Sequence, residues 1–230
     1  MDPNIIKENV RALLAQVEQA APGREVTVVA ATKTRTPEEI WAARDAGIRT
    51  AGENRVQELA EKLPLGAYDG LVRHFIGHLQ TNKVKQVVGN VELIESVDSE
   101  HLLEAIDRQA EKRGLVQDVL AEINIGGEEA KSGMAPEELD AFLDFAAKKA
   151  HIRVLGLMTV APKAENDLLC HCFTKMHKLF VDKSRNNCDN IKMVYLSMGM
   201  SGDYLQALAC GANMVRIGTG IFGPREYAKP

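Results

Sequence analysis

Val26-Thr27-Val28-Val29-Ala30-Ala31-Thr32, followed by Lys33, is the stretch that decides the fold. The run is apolar and β-branched without a break. A strand with one wet face alternates in polarity, whereas an unbroken run suits a strand buried on both faces of a parallel sheet. Helical signals flank it. Upstream, Asp2-Pro3 joins a capping residue to a first-turn proline. Ile6, Val10, Leu13, Leu14 and Val17 then recur at helical spacing until Pro22-Gly23. Downstream, Thr36-Pro37-Glu38-Glu39 opens a helix as a capping box, and Gly47 closes it.

The alternation continues along the chain. Strands are expected at 49–52, 74–76, 93–97, 119–124, 154–158, 193–196 and 214–217, which with the first makes eight. Each leads into a helical pattern, the last into a short one. Residues 100–113, stopped by Gly114, and 136–149 are clear cases. Eight βα units in 230 residues fit one α/β domain, residues 1–230, folded as a single (β/α)8 TIM barrel. The first helix is extra and packs on the barrel. The rival, a doubly wound open sheet, carries a glycine-rich turn after its first strand. Here that strand ends in Thr32-Lys33-Thr34.

Composition narrows the function. Apolar residues make up 45%, enough for a large core. A net charge of -4 gives no reason to expect nucleic acid. No apolar run is long enough to span a bilayer, and MDPNIIKENV lacks the basic-then-apolar layout of a secretory signal. A cytoplasmic protein without a membrane partner is expected. Cys170, Cys172 and Cys188 crowd one segment with His171 and His177, and Cys210 follows. Cys-His-Cys lacks the spacer of common zinc hairpins and has no second ligand pair, so free thiols are expected and no metal.

In such barrels ligands bind at the carboxyl ends of the strands. Those ends carry Lys33, then Gly52-Glu53-Asn54, Gly77-His78-Leu79-Gln80 and Met158-Thr159. The last two are Ser197-Met198-Gly199-Met200-Ser201-Gly202-Asp203 and Arg216-Ile217-Gly218-Thr219-Gly220. Small residues let backbone N–H groups approach an anion, and Ser201 is placed to cap a helix starting near Gly202. The loops after strands seven and eight are the usual phosphate site of these barrels. The plainer reading gives the glycines to tight turns alone. Lys33 sits at the mouth, where burial and a nearby cation such as Arg216 would free its amine to attack a carbonyl. The plainer reading has Lys33 snorkelling to the rim to pair with Glu53. Lysine plus phosphate fits pyridoxal 5′-phosphate (PLP) or a sugar phosphate in a Schiff-base aldolase, and spacing does not separate the two.

Longer motifs resemble a known family. They are Val28-Val29-Ala30-Ala31-Thr32-Lys33, Gly52-Glu53-Asn54-Arg55-Val56-Gln57-Glu58 and His74-Phe75-Ile76-Gly77-His78-Leu79-Gln80-Thr81-Asn82-Lys83. Gly156-Leu157-Met158-Thr159, the serine-bearing segment 197–203 and Val215-Arg216-Ile217-Gly218-Thr219-Gly220-Ile221-Phe222-Gly223 add to them. Over nearly its whole length the chain resembles the pyridoxal phosphate homeostasis protein family. The resemblance implies the barrel of the amino-terminal domain of alanine racemase. It implies Lys33 as the Schiff-base lysine for PLP. Ser201, Gly218 and Thr219 would hold the phosphate, with Met200 lining that loop. Arg216 would face the pyridine nitrogen, Asn54 and His78 would line the ring pocket, and Met158 would touch the cofactor.

PLP is the strongest electron sink when its ring nitrogen is protonated, and an arginine there opposes that. A racemase also needs an acid/base on each face of its substrate. In alanine racemase the second is a tyrosine from another domain, which is not expected here, and Tyr68, Tyr195, Tyr204 and Tyr227 hold no obvious strand-end position. No catalytic residue is therefore assigned. The expectation is a monomeric carrier or buffer serving intracellular PLP homeostasis. It would hand the cofactor to apo forms of PLP-dependent enzymes and affect amino-acid and keto-acid balance indirectly. A low-activity PLP-dependent amino-acid racemase is the alternative.

Overall fold

The computed structural model describes residues 1–128, 130–162, 166–185 and 188–224. Asp2 accepts a hydrogen bond from the Asn4 N–H at 2.8 Å, with Pro3 in the first turn, and so starts α1 (Pro3–Ala20). Ile6, Val10, Leu13 and Val17 form its buried stripe. Thr36 and Glu39 close the expected capping box on α2 (Pro37–Asp45). Gly114 ends α5 (Glu100–Arg113) in the left-handed conformation, φ +64°. The other helices are α3 (Val56–Lys62), α4 (Val84–Val87), α6 (Leu139–Ala146), α7 (Asn166–Ser184), α8 (Tyr204–Ala209) and α9 (Thr219–Phe222).

The strands are β1 (Thr27–Ala31), β2 (Thr50–Glu53), β3 (Val72–Phe75), β4 (Leu93–Val97), β5 (Gln117–Glu122), β6 (Ile152–Met158), β7 (Ile191–Met200) and β8 (Met214–Ile217). They pair in chain order into a closed barrel, and β8 returns in parallel to β1 with Val29 opposite Arg216. The (β/α)8 reading and its extra first helix are borne out. Alternation along each strand then sorts the side chains. Val28 and Ala30 face the helices; Val29 and Ala31 pack inside the barrel with Leu93, Leu120, Met158 and Met214. Helix α1 packs against α2 and α9, and Asn9 donates to the Ile221 carbonyl at 3.0 Å.

Strand bounds shift by up to two residues from the sequence reading, and the seventh strand differs most. The seventh was expected to stop at 196, with a loop beyond it. Instead β7 runs on to Met200. Ser197 pairs with Met214 but Met200 with Arg216, so three steps on β7 match two on β8. Gly199, at φ +95°, takes up the extra residue. The small residues serve a β-bulge within a strand as well as a turn after it.

Gly156 in β6 combines φ +144° with a Cβ position only 1.9 Å from the Tyr195 carbonyl oxygen. Gly156→Ala should therefore lower stability by at least about 2 kcal/mol, read as a reduced urea midpoint.

Candidate functional site

Lys33 follows β1 in a tight turn and is half-buried. Both of its neighbours are fixed. Thr32 Oγ1 donates to the Gly52 carbonyl at 3.2 Å and lies 3.1 Å from Glu53 Oε2. Thr34 takes φ +65°, the one positive φ outside glycine among the described residues, and its N–H donates to Glu58 Oε2 at 2.6 Å. Such a conformation persists only where its surroundings enforce it. Here Lys62 enforces it. Its ammonium reaches the Thr32 carbonyl, Glu53 and Glu58, each at 2.8 Å, and its side chain is only 9% exposed. Burial would raise the Glu58 carboxyl, but Lys62 and the Thr34 N–H outweigh it and hold it below its ordinary value. Tyr68 donates to Glu53 Oε2 at 3.1 Å, and burial, then the Glu53 charge, raise its hydroxyl. Lys62, Thr32 and Tyr68 thus converge on Glu53 Oε2.

Asn54, next after β2, donates its N–H to Glu53 Oε1 at 2.8 Å. Its Oδ1 is buried and has no partner. Gly77 is required beside it, because a Cβ there would lie 2.2 Å from the Asn54 carbonyl oxygen. His78 is exposed at the rim, 3.3 Å from Ser132 Oγ and 3.7 Å from Asp98. Met158 is buried inside the barrel at the end of β6, and Met200 is 39% exposed at the end of β7.

Ser201 does not cap the next helix. That helix, α8, starts at Tyr204 after Asp203, and Asp203 turns its carboxylate back to the Met200 N–H. Ser201 Oγ instead accepts from the N–H groups of Gly218 and Gly220, at 3.1 and 3.2 Å. The two loops expected to bind phosphate are therefore joined to each other. The Gly218 Cα also lies against β1, since a Cβ there would meet Ala31 Cβ at 3.6 Å. Ser201, Gly218 and Thr219 share the mouth that carries Lys33.

Beneath them Arg216 is 5% exposed. Its guanidinium donates to Ser197 Oγ and to the Thr159 carbonyl (2.7 Å) and lies 3.8 Å from Glu95. Glu95, fully buried, accepts from Ser197 Oγ at 2.6 Å and lies 2.7 Å from His74 Nδ1. Burial pushes Glu95 up, but His74, Arg216 and Ser197 together hold it below the usual carboxylate range. Burial lowers Arg216, and Glu95 and Glu122 oppose that.

Glu95, His74, Ser197, Lys62 and Glu122 have no role in the sequence reading. Alternation would have found Glu95, which shares an inward face with Leu93. It would have found Glu122 too, two residues past the inward Leu120 at the end of β5. Burial, then Asp98, raise the Glu122 carboxyl to about 7 against an opposing Arg216, and Oε2 has no partner. Both orphaned buried atoms of the described side chains thus belong to residues at strand carboxyl ends. Tyr227 lies outside the described residues. Cys172 is buried on α7 among apolar neighbours, and Cys210 Sγ points to the Cys170 carbonyl at 4.0 Å.

The family model described as the alanine racemase N-terminal domain matches residues 1–226. The "Pyridoxal phosphate homeostasis protein" of Aquifex aeolicus (strain VF5) is 42% identical over 212 residues, which are 91% of this chain and 92% of that protein. PipY of Synechococcus elongatus PCC7942, solved without PLP, is similar at TM-score 0.86 and 31% identity, over 95% of this chain and all of that one. Solved with PLP bound, it is similar at TM-score 0.82 and 30% identity, over 93% of this chain and 100% of the other.

Removing Glu95 would leave the buried Arg216 charge without its counter-ion. Glu95→Ala should cost about 3–5 kcal/mol in unfolding free energy, seen by denaturant titration. Glu122 acts in the opposite sense. Its folded carboxyl keeps a proton to about 7, whereas its ordinary value is 4.5. Between those values rising pH favours the unfolded chain, and the penalty is full above the upper one. Glu122→Gln should match the wild type in acid and gain about 3 kcal/mol above neutrality, checked by unfolding across pH.

Proposed function

The chain belongs to the pyridoxal phosphate homeostasis proteins of the alanine racemase N-terminal domain family, and on that footing we propose that it binds PLP and holds it for intracellular homeostasis of the cofactor. The observation that carries the reading is the shared mouth. Lys33, the orphaned Asn54 Oδ1 and the Ser201–Gly218 junction all stand at the carboxyl ends of neighbouring strands. When bound, PLP supplies an aldehyde carbon open to reversible attack by an amine. Lys33 is that amine, on a turn that Lys62 and Glu58 hold still. Ser201, Gly218 and Thr219 would hold the phosphate through the Ser201 and Thr219 hydroxyls and the N–H groups that Ser201 Oγ does not already take, with Met200 beside them. Asn54 donates or accepts at the ring edge, Met158 floors the pocket, and His78 closes its rim.

Arg216 would face the pyridine nitrogen. It can only donate, never accept a proton, and its hydrogen bonds to Ser197 and Thr159 and its pairing with Glu95 hold its direction. A ring left unprotonated is a weak electron sink, which favours holding over transformation. The protein is in this reading one barrel domain, a cytoplasmic monomer rather than an enzyme. It passes its cargo to apo forms of PLP-dependent enzymes. Among the described residues no helix is long and apolar enough to cross a membrane.

Mixing purified protein with PLP should give a visible absorption band, and borohydride should fix the cofactor to the protein. Lys33→Ala should lose both almost completely. A variant that keeps an unchanged, borohydride-fixed band would move the covalent role to another lysine. Uptake of solvent deuterium at the α-carbon of an added amino acid, at the rate of a racemase, would contradict the carrier reading.

A further inference from the structure

Glu122 has no place in the function just argued, yet its setting asks for a ligand. It is the last residue of β5, is 6% exposed and continues the inward face that Leu120 occupies. Its carbonyl is satisfied, accepting from the Met134 N–H at 2.9 Å, and the register sets it beside Met158 of β6. Its carboxyl is not, since Oε2 is buried without a partner. An ionised carboxylate buried without donors is strongly disfavoured. The charged groups around it are Asp98, which follows β4 and lies 3.7 Å from His78, and Arg216 of β8. Met158, from β6, brings no charge. Arg216 is already committed to Ser197, Thr159 and Glu95. A neutral acid, by contrast, has one proton to donate into the pocket.

We propose that Glu122 is a ligand-contacting acid of this site, protonated in the loaded state and donating that proton in a hydrogen bond to the bound molecule. The proposal rests on the PLP reading and extends it. The ligand is anionic, so an ionised Glu122 would repel it. Loading above neutrality therefore draws one proton from solvent onto Glu122 Oε2, and retention weakens as pH rises. The carboxyl also selects for a ligand that offers an acceptor at the β5–β6 side of the mouth.

The test uses pyridoxine 5′-phosphate, which keeps the ring and phosphate but has no aldehyde, so the chemistry of Lys33 drops out. Calorimetry in buffers of different ionisation enthalpy counts the protons taken up on binding. Near pH 8 the wild type should take up about half to one proton more than Glu122→Gln. Its dissociation constant should rise by up to about tenfold per pH unit relative to that variant. Glu122→Leu, which has no donor, should bind about tenfold more weakly than Glu122→Gln at any pH. The carboxyl 13C shift of Glu122 in the unsubstituted protein reads the same proton and should move to its protonated value on loading. Equal proton uptake and equal pH slopes in wild type and Glu122→Gln would overturn this proposal and leave the PLP reading standing. Failure of the wild type to bind either PLP or pyridoxine 5′-phosphate would overturn both.

Discussion

A guanidinium inside the barrel is the constraint around which the rest is arranged. Arg216 lies on the strand that closes the ring, with 5% of its surface exposed. A charge so placed is tolerated only if its hydrogen bonds are met and a counter-charge stands close. Ser197 of β7, the carbonyl of Thr159 after β6 and Glu95 of β4 meet that demand, and His74 of β3 braces Glu95 in turn. The chain of contacts runs through the interior from the third strand to the eighth. It fixes the direction in which Arg216 can point, and so the polarity of whatever rests on it.

The other side of the mouth is organised by a second buried charge. Lys62 sits under the turn after β1 and holds Thr32, Glu53 and Glu58 together. Glu58 in turn keeps Thr34 in a left-handed conformation. Lys33 is thus presented by a backbone that two carboxylates and an ammonium define. The two networks have a common logic. Each places its charges below the mouth, where they satisfy one another, and leaves the mouth with a lysine, small-residue turns and two orphaned polar atoms. Preorganisation of this kind lets a ligand bind without first ordering the site.

Much of this was legible in the sequence, and for physical reasons. The run 26–32 has to be a strand buried on both faces, and the capping chemistry at Asp2, Thr36 and Gly114 is local. Strand ends in a barrel face one way, so the sequence alone assigns Lys33, Asn54 and Arg216 to one mouth. What stayed hidden was pairing across the barrel. Glu95 and Ser197 are 102 positions apart, and no local pattern connects them. The true donors to Ser201 escape local reading for the same reason. A serine before a helix looks like a cap, but its donors come from a loop 17 and 19 positions later. The seventh strand was cut short because a bulge and a loop both use small residues.

The claim on which all of this turns is that one lysine and one anion-binding junction act on the same ligand. Crystals soaked with PLP test it most directly. Continuous electron density is expected from the Lys33 side chain to the cofactor ring, with the phosphate seated against Ser201, Gly218 and Thr219. Density joined to a different lysine, or a phosphate bound away from that junction, would contradict it.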